Sequence, residues 1–237
     1  MKIEIVLSCL KFQCRLCWML SSLMQQTTKN FSVTIVTIPN DGEPSTEEVV
    51  KCFSNIDIKI LYVNEKYASK RGIHRDLALR KSLSQWLLFT DSDVVFSPTF
   101  IEECNKYCIE KNSAFLFHCI RNSTYIEETD EIISSFIYPC VVSDVYDVVK
   151  TLKNKKMSCR CAGYCHLVNR EFLNSRMGGV YFGNKRRDNF WAFSSDVKFK
   201  KRFLSVGGKI VIMQNLFLYH LNHLRNSAFV GKVMIQR

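Results

Sequence analysis

Residues 86–98 read WLLFTDSDVVFSP, an apolar run that ends on two carboxylates one residue apart, Asp91 and Asp93, with Ser92 between them. Removing water from an unpartnered carboxylate costs on the order of several kcal/mol, so a strand that ends this way calls for a cation. In an extended segment residues i and i+2 project to the same side, which lets both side chains address one ligand. A plain turn uses the same residue types, because Asp and Ser bond their own backbone, and D-x-D is too short to separate the two readings.

The elements that must carry this pair alternate. KIEIVLSC is followed by a helical stripe through Leu16, Leu20 and Leu23, then FSVTIVTI, a helix near 45–54, IDIKILYV, a helix near 73–83, and QWLLFTD. Such β-α-β alternation predicts parallel strands with right-handed crossovers and ligands at the carboxyl ends of the strands. The informative turns are then those from Ser8 onward, IPNDGEP, NEKYASKRG and TDSD. Beyond residue 113 the pattern predicts a strand at FLFHCI and a helix within SSFIYPCVVSDVYDVVKTL. CAGYCHLV and NREFLNS read as strand and short helix. A helix starts near Ser194, capped by Ser194 or Ser195 and stopped by Gly207-Gly208, and KIVIMQ and LFLYHLNH read as closing strands.

A chain of 237 residues can bury one sizeable core, and 47% hydrophobic with 23% charged residues excludes a disordered or collagen-like polymer. The net charge of +11 favours anionic partners: nucleotide, nucleic acid, lipid headgroup or acidic glycan. It is unevenly placed, with fifteen Lys or Arg between 150 and 209 against Glu171, Asp188 and Asp196. Eleven cysteines, an odd number set in apolar segments, suit buried thiols in a reducing compartment. The spacings of Cys14/Cys17, Cys104/Cys108 and Cys159, Cys161, Cys165, His166 fit no familiar zinc set. Lys11, Gln13 and Arg15 interrupt the apolar N-terminal stretch below the ~20 residues of a membrane span, so a soluble or peripheral protein is expected.

These ordered turns resemble the GT-A nucleotide-sugar glycosyltransferases, in particular glycosyltransferase family 2 and its galactosyltransferase-like relatives, from about residue 3 to 225. The residues that carry the resemblance are Asn40-Asp41-Gly42, Gly72-x-x-Arg75-Asp76-x-Ala78, Asp91-Ser92-Asp93, Gly178-Gly179, and Phe190-Trp191-Ala192-Phe193-Ser194-Ser195-Asp196-Val197-Lys198-Phe199 with Arg202. The resemblance implies an α/β, GT-A (nucleotide-diphospho-sugar transferase) fold, with a Rossmann-like, mostly parallel central sheet flanked by helices. It also implies one domain over 1–237, with a nucleotide-binding half (1–97) and an acceptor-binding, catalytic half (98–237). Asp41 and Asp76 would contact base and ribose. Ser8, Arg75, Asp91 and Trp191 complete the nucleotide-sugar set. Asp91 and Asp93 would hold a divalent metal with a histidine near the strand end, His220 or His223. Asp196 aligns with the general base. Ser195 stands where the family has Glu, and Lys198 where it has a second Asp.

Carboxylates, imidazole and phosphate oxygens suit Mn²⁺ (or Mg²⁺), imidazole favouring the former, and the cation would stabilise the departing diphosphate. Asp196 would deprotonate an acceptor hydroxyl, giving inversion at the anomeric carbon. Trp191 would stack on a sugar or fill core space; Arg71, Arg75, Arg80 and Lys81 would steer a diphosphate or stay solvated. A sugar-1-phosphate nucleotidyltransferase would open with a Gly- and Arg-rich loop where this chain has Ser8-Cys9-Leu10-Lys11. A basic nucleic-acid- or acidic-glycan-binding protein lacks an accompanying motif, and Ser195 and Lys198 motivate a catalytically degenerate domain. The expectation is a cytoplasmic, metal-dependent enzyme, peripheral to a membrane through its basic half. It moves a sugar from a UDP-linked donor to a glycan or glycolipid hydroxyl, without a nucleic-acid partner.

Overall fold

The computed structural model describes residues 2–110, 114–157, 164–180 and 195–223. The first half alternates as the pattern predicts: β1 (Ile3–Ser8), α1 (Gln13–Met24), β2 (Phe31–Thr37), α2 (Thr46–Lys51), β3 (Ile58–Tyr62), α3 (Arg71–Lys81) and β4 (Trp86–Phe89). β3, β2, β1 and β4 pair side by side and in parallel. The near-continuous apolar content of β1 and β4, and most of β2, follows from burial on both faces, whereas β3 at the edge is only partly covered. α2 starts on a reciprocal capping box in which Ser45 and Glu48 satisfy each other's backbone N–H groups.

The second half comprises β5 (Val94–Phe96), α4 (Phe100–Glu110), β6 (Phe115–Thr124), α5 (Ile126–Ser134), α6 (Val145–Thr151), β7 (Asn154–Met157), β8 (His166–Asn169), α7 (Arg170–Met177), α8 (Ser195–Ser205) and β9 (Lys209–His220). It extends the same sheet in the order β3-β2-β1-β4-β8-β6-β9-β5, with β7 on β6. Parallel pairing resumes between β6 and β9, whereas β4 with β8, β8 with β6, β9 with β5 and β6 with β7 are antiparallel. The two closing strands expected at KIVIMQ and LFLYHLNH form one strand, β9. It is interrupted where Cys119 faces Met213 but the next β6 residue, Ile120, faces Phe217. Extra residues on one strand of a ladder bend it and re-aim its side chains. α8 stops before Gly207 at φ 90°, and at Gly208 any Cβ would lie 2.2 Å from the Phe203 ring, so only glycine fits.

Two apolar layers cover the sheet. Leu16, Leu20 and Leu23 of α1 pack with Phe100 and Cys104 on one side; Leu79, Phe172, Phe199 and Phe203 pack on the other. Polar groups are folded into these layers with partners. Glu4, in the middle of β1, accepts from Thr34 Oγ1 at 2.6 Å and from Ser82 Oγ. Gln26 donates to Ser97 O at 2.8 Å and accepts from Ile101 N at 3.0 Å, while Ser22 Oγ accepts from Phe96 N at 3.1 Å. The end of α1 is thereby fastened to β5 and α4. The cysteines described are free thiols, mostly buried, and burial pushes those of Cys9, Cys17 and Cys108 up to about 12. No helix among the described residues is long and apolar enough to cross a membrane.

Three imidazoles are buried away from solvent. His74 donates from Nε2 to Tyr67 O at 2.9 Å, and burial lowers it to about 4. His118 on β6 and His166 on β8 meet edge to face at 4.8 Å; burial lowers His118 to about 4 and His166 well below its ordinary value. The unfolded chain protonates histidine near 6.5, so between about pH 6.5 and 4 it binds more protons than the folded chain, and stability must fall as pH falls through that window. Each such imidazole then removes about 2 kcal/mol at pH 5, an order-of-magnitude figure from 1.36 kcal/mol per unit. The urea midpoint is expected to drop between pH 7.5 and 5. His74→Gln, which keeps an N–H for Tyr67 O, should drop less; an equal drop would show that His74 does not titrate in this way.

Candidate active site

Ser8 ends β1 and Asp91 follows β4, so the two parallel strands deliver both residues to one edge of the sheet. Ser8, Leu10, Phe12, Arg71, Asp91, Ser92 and Asp93 line a cleft there, with ≈ 390 Å³ of non-atom space. The turn that carries the two aspartates is held from below: Thr90 N donates to Val6 O at 2.9 Å, and Thr90 Oγ1 to Tyr164 O at 2.7 Å.

After Asp93 the chain enters β5, and its antiparallel pairing sets Val94 opposite His220 of β9. Leu221 N closes the pair on Asp93 O at 2.8 Å. His220 Nε2 and His223 Nε2 consequently lie 3.3 and 3.2 Å from Asp93 Oδ2. One ligand atom from each of the three residues lies within 4.8 Å of the other two, close enough for the three to share a metal ion. Asp93 is 6% exposed, and its Oδ1 is buried without a hydrogen-bond partner among the described residues. Burial by itself pushes the Asp93 carboxyl up, but the His220 and His223 imidazoles outweigh it and hold it well below the usual carboxylate range. His220 Nδ1 lies 3.2 Å from Ser123 Oγ, directly across the β6–β9 ladder, and the His223 ring packs on Phe12 at 4.7 Å. Both histidines therefore share Asp93, where the sequence left open which would.

Asp91 points elsewhere. Its Oδ1 lies 3.5 Å from Arg71 and 3.4 Å from Arg75. The Arg75 side chain is 2% exposed, lies over the Phe89 ring at 6.0 Å, and pairs through its other terminal nitrogen with Asp196 of α8. The first aspartate of D-x-D and the expected base thus meet one guanidinium. Asp41 is buried, with a carboxylate that accepts from Thr37 Oγ1 at 2.5 Å, from Thr46 N at 2.9 Å and from Thr46 Oγ1. Gln13 Nε2 donates to its carbonyl at 3.1 Å. Its carboxylate fastens the β2–α2 turn. Asp76 is half-buried on α3 next to Arg75, and neither it nor Asp41 is among the residues that wall the cleft. Trp191, and with it the whole segment from Phe190 to Ser194, lies outside the described residues.

Phe12 and Ser123 were not anticipated. Phe12 stands in an ordinary apolar loop, and Ser123 becomes visible only once β6 is set against β9.

The sequence model for Glycosyl transferase family 2 matches residues 6–175. Among curated proteins, a glycosyltransferase of Streptococcus pneumoniae serotype 4, GlyA, is 26% identical over 129 residues, which is 48% of this chain and 18% of that protein. The chain thus matches less than a fifth of that relative's length. Among solved structures, S. aureus TarS 1–349 in complex with UDP superposes with a TM-score of 0.65 at 13% identity, over 96% of this chain and 62% of that one. The same protein with UDP-GlcNAc gives 0.63 at 15%, over 97% and 62%. GalNAc-T7 with UDP, GalNAc and Mn²⁺ gives 0.67 at 12%, over 94% and 44%. At these identities the structures speak for the fold, which is that of the GT-A glycosyltransferases, while the sequence match over most of the chain speaks for the family: the protein is a member of glycosyltransferase family 2.

Proposed function

We propose that this chain is a metal-dependent, inverting glycosyltransferase that moves a sugar from a UDP-linked donor to a glycan or glycolipid hydroxyl. The observation that carries the reading is the convergence of Asp93, His220 and His223, with a buried Asp93 oxygen left over for a further partner. Two imidazoles and a carboxylate fit Mn²⁺ better than Mg²⁺, which prefers oxygen ligands and its own water. A divalent ion held there would supply Lewis-acid stabilisation of the diphosphate leaving group.

The rest is the work of this chain's own side chains. Ser8, Arg71 and Asp91 line the cleft in which the nucleotide would sit. Phe12 packs on the His223 ring and Ser123 faces His220 Nδ1, which fixes both rings; an orienting partner on the far nitrogen is how ligating histidines are ordinarily held. Asp196, at the first turn of α8, would take the proton of the acceptor hydroxyl as its oxygen bonds to the anomeric carbon and the bond to the diphosphate breaks. Attack from the face opposite the nucleotide inverts that carbon. Asp41 and Asp76 are proposed to shape the nucleotide pocket and Trp191 to contact the sugar. The basic second half is proposed to meet an anionic acceptor or membrane surface on the cytoplasmic side.

Calorimetric titration with UDP and with GDP, with and without Mn²⁺, tests the donor site. UDP binding should require Mn²⁺ and weaken at least about tenfold in Asp93→Ala, the scale on which metal sites respond to lost partners. No nucleotide binding under any of these conditions would sink the reading. Because imidazole ligands bind metal only when unprotonated, Mn²⁺ affinity should fall from pH 7.5 to 5.5; a flat profile would remove the histidines from the site. Asp196→Asn should lower turnover by about 10²–10⁴-fold while UDP affinity changes little. Wild-type turnover in that variant would exclude Asp196 as the base.

A further inference from the structure

Arg75 lies on α3, 121 residues before Asp196, yet its side chain is among the least exposed of the charged groups, at 2%. Its two terminal nitrogens are divided between carboxylates of different elements: one toward Asp91, in the turn after β4, and one toward Asp196, on α8. The Phe89 ring below limits how the guanidinium plane can turn. Asp91 has a second cation in Arg71, so its charge is not the reason Arg75 is there. α8 packs on the sheet through Phe199 and Phe203, which sets its first turn, and with it Asp196, beside Arg75.

We infer that Arg75 is a positioning residue which orients the Asp196 carboxylate and ties it to the D-x-D turn, so that the proton acceptor and the nucleotide end of the cleft keep a fixed relation. This rests on the assignment of Asp196 as the base. A planar fork can serve two carboxylates at once, whereas an ammonium is a single point charge that cannot reproduce both directions. Shortening Arg75 to Lys leaves Asp91 with Arg71 and takes the fork away from Asp196. Arg75 is thereby assigned to the base and the turn together, in addition to the role as a donor contact that its position in the sequence suggested.

The test is a double-mutant cycle on the full chain with Arg75→Lys, Asp196→Asn and the double variant, read by UDP release from UDP-GlcNAc and UDP-galactose with Mn²⁺. If Arg75 acts through Asp196, Arg75→Lys lowers kcat by about 10–100-fold with little change in KM for the donor, and has no further effect in the Asp196→Asn background. A rise in donor KM that persists in that background would make Arg75 a diphosphate contact and overturn the inference while leaving the base in place. Asp196→Asn at wild-type rate would overturn the base assignment and the inference with it. A wild-type chain that releases no UDP from either donor counts against the transferase reading for these donors and against the inference that rests on it, and additive urea midpoints across the same cycle would overturn the Arg75–Asp196 tie itself.

Discussion

The pairing of β5 with β9 is the constraint on which the site depends. It is short, with Val94, Val95 and Phe96 opposite His220, Tyr219 and Leu218, and it joins segments more than 120 residues apart. Closing so long a loop is entropically costly and nothing local repays it, so the pairing must be held by what surrounds it. Ser22 of α1 and Gln26 just beyond that helix do this, fastening Phe96 N and the turn beyond β5. On the other strand, the long parallel ladder with β6 carries His220 opposite Ser123, after the irregularity at Met213–Phe217 has reset the register. These supports bring Asp93 and the two histidines within reach of one another.

The buried polar groups divide into two kinds. Glu4, Gln26 and Asp41 are satisfied within the fold: each spends its hydrogen-bonding capacity on a turn or strand that has to stay in place. Such groups stabilise chiefly by leaving nothing unpaired, since a buried polar atom without a partner costs about 1–3 kcal/mol. Asp93 Oδ1 is the contrast, an acceptor held out of water at the centre of a ligand cluster.

Much of this was legible in the sequence. Alternating strands and helices up to Asp93 followed from the apolar runs of the strands and the apolar stripes of the helices between them. The D-x-D pair stood out as two carboxylates after an apolar run, but so short a motif left a ligand site and a plain turn open, and only the family resemblance favoured the first. The second half was less so. β5 is a three-residue strand inside an apolar run, and no pattern distinguishes it from a loop. The parallel order of the first half gives way to alternating directions through β8 and β7, which are four residues each and too short for periodicity to register. Asp41 read as a ligand contact from its place after β2, and the structure adds an internal role: Thr37 and Thr46 compete for its oxygens, and hydroxyl partners four and five residues away carry no signature. Arg75 was singled out as a cation, but which carboxylates it would meet depended on where α8 lands.

Charge balance across the cleft gives the arrangement its chemical sense. Asp91 and Asp196 face Arg71 and Arg75, two negative charges against two positive ones. Asp93 faces two imidazoles, a pairing that neutralises the carboxylate only while a proton, or something in its place, is present. A diphosphate entering alone would meet one cluster whose cations are already paired and another whose carboxylate repels it. Arriving with a divalent ion, it would bring the positive charge that Asp93 and the imidazoles are placed to accept, and it would leave the Arg75 fork on Asp196 undisturbed. On the proposed assignment of Asp93 to the metal and Asp196 to the base, the two ends would be charged and discharged separately, although one guanidinium touches Asp91 and Asp196.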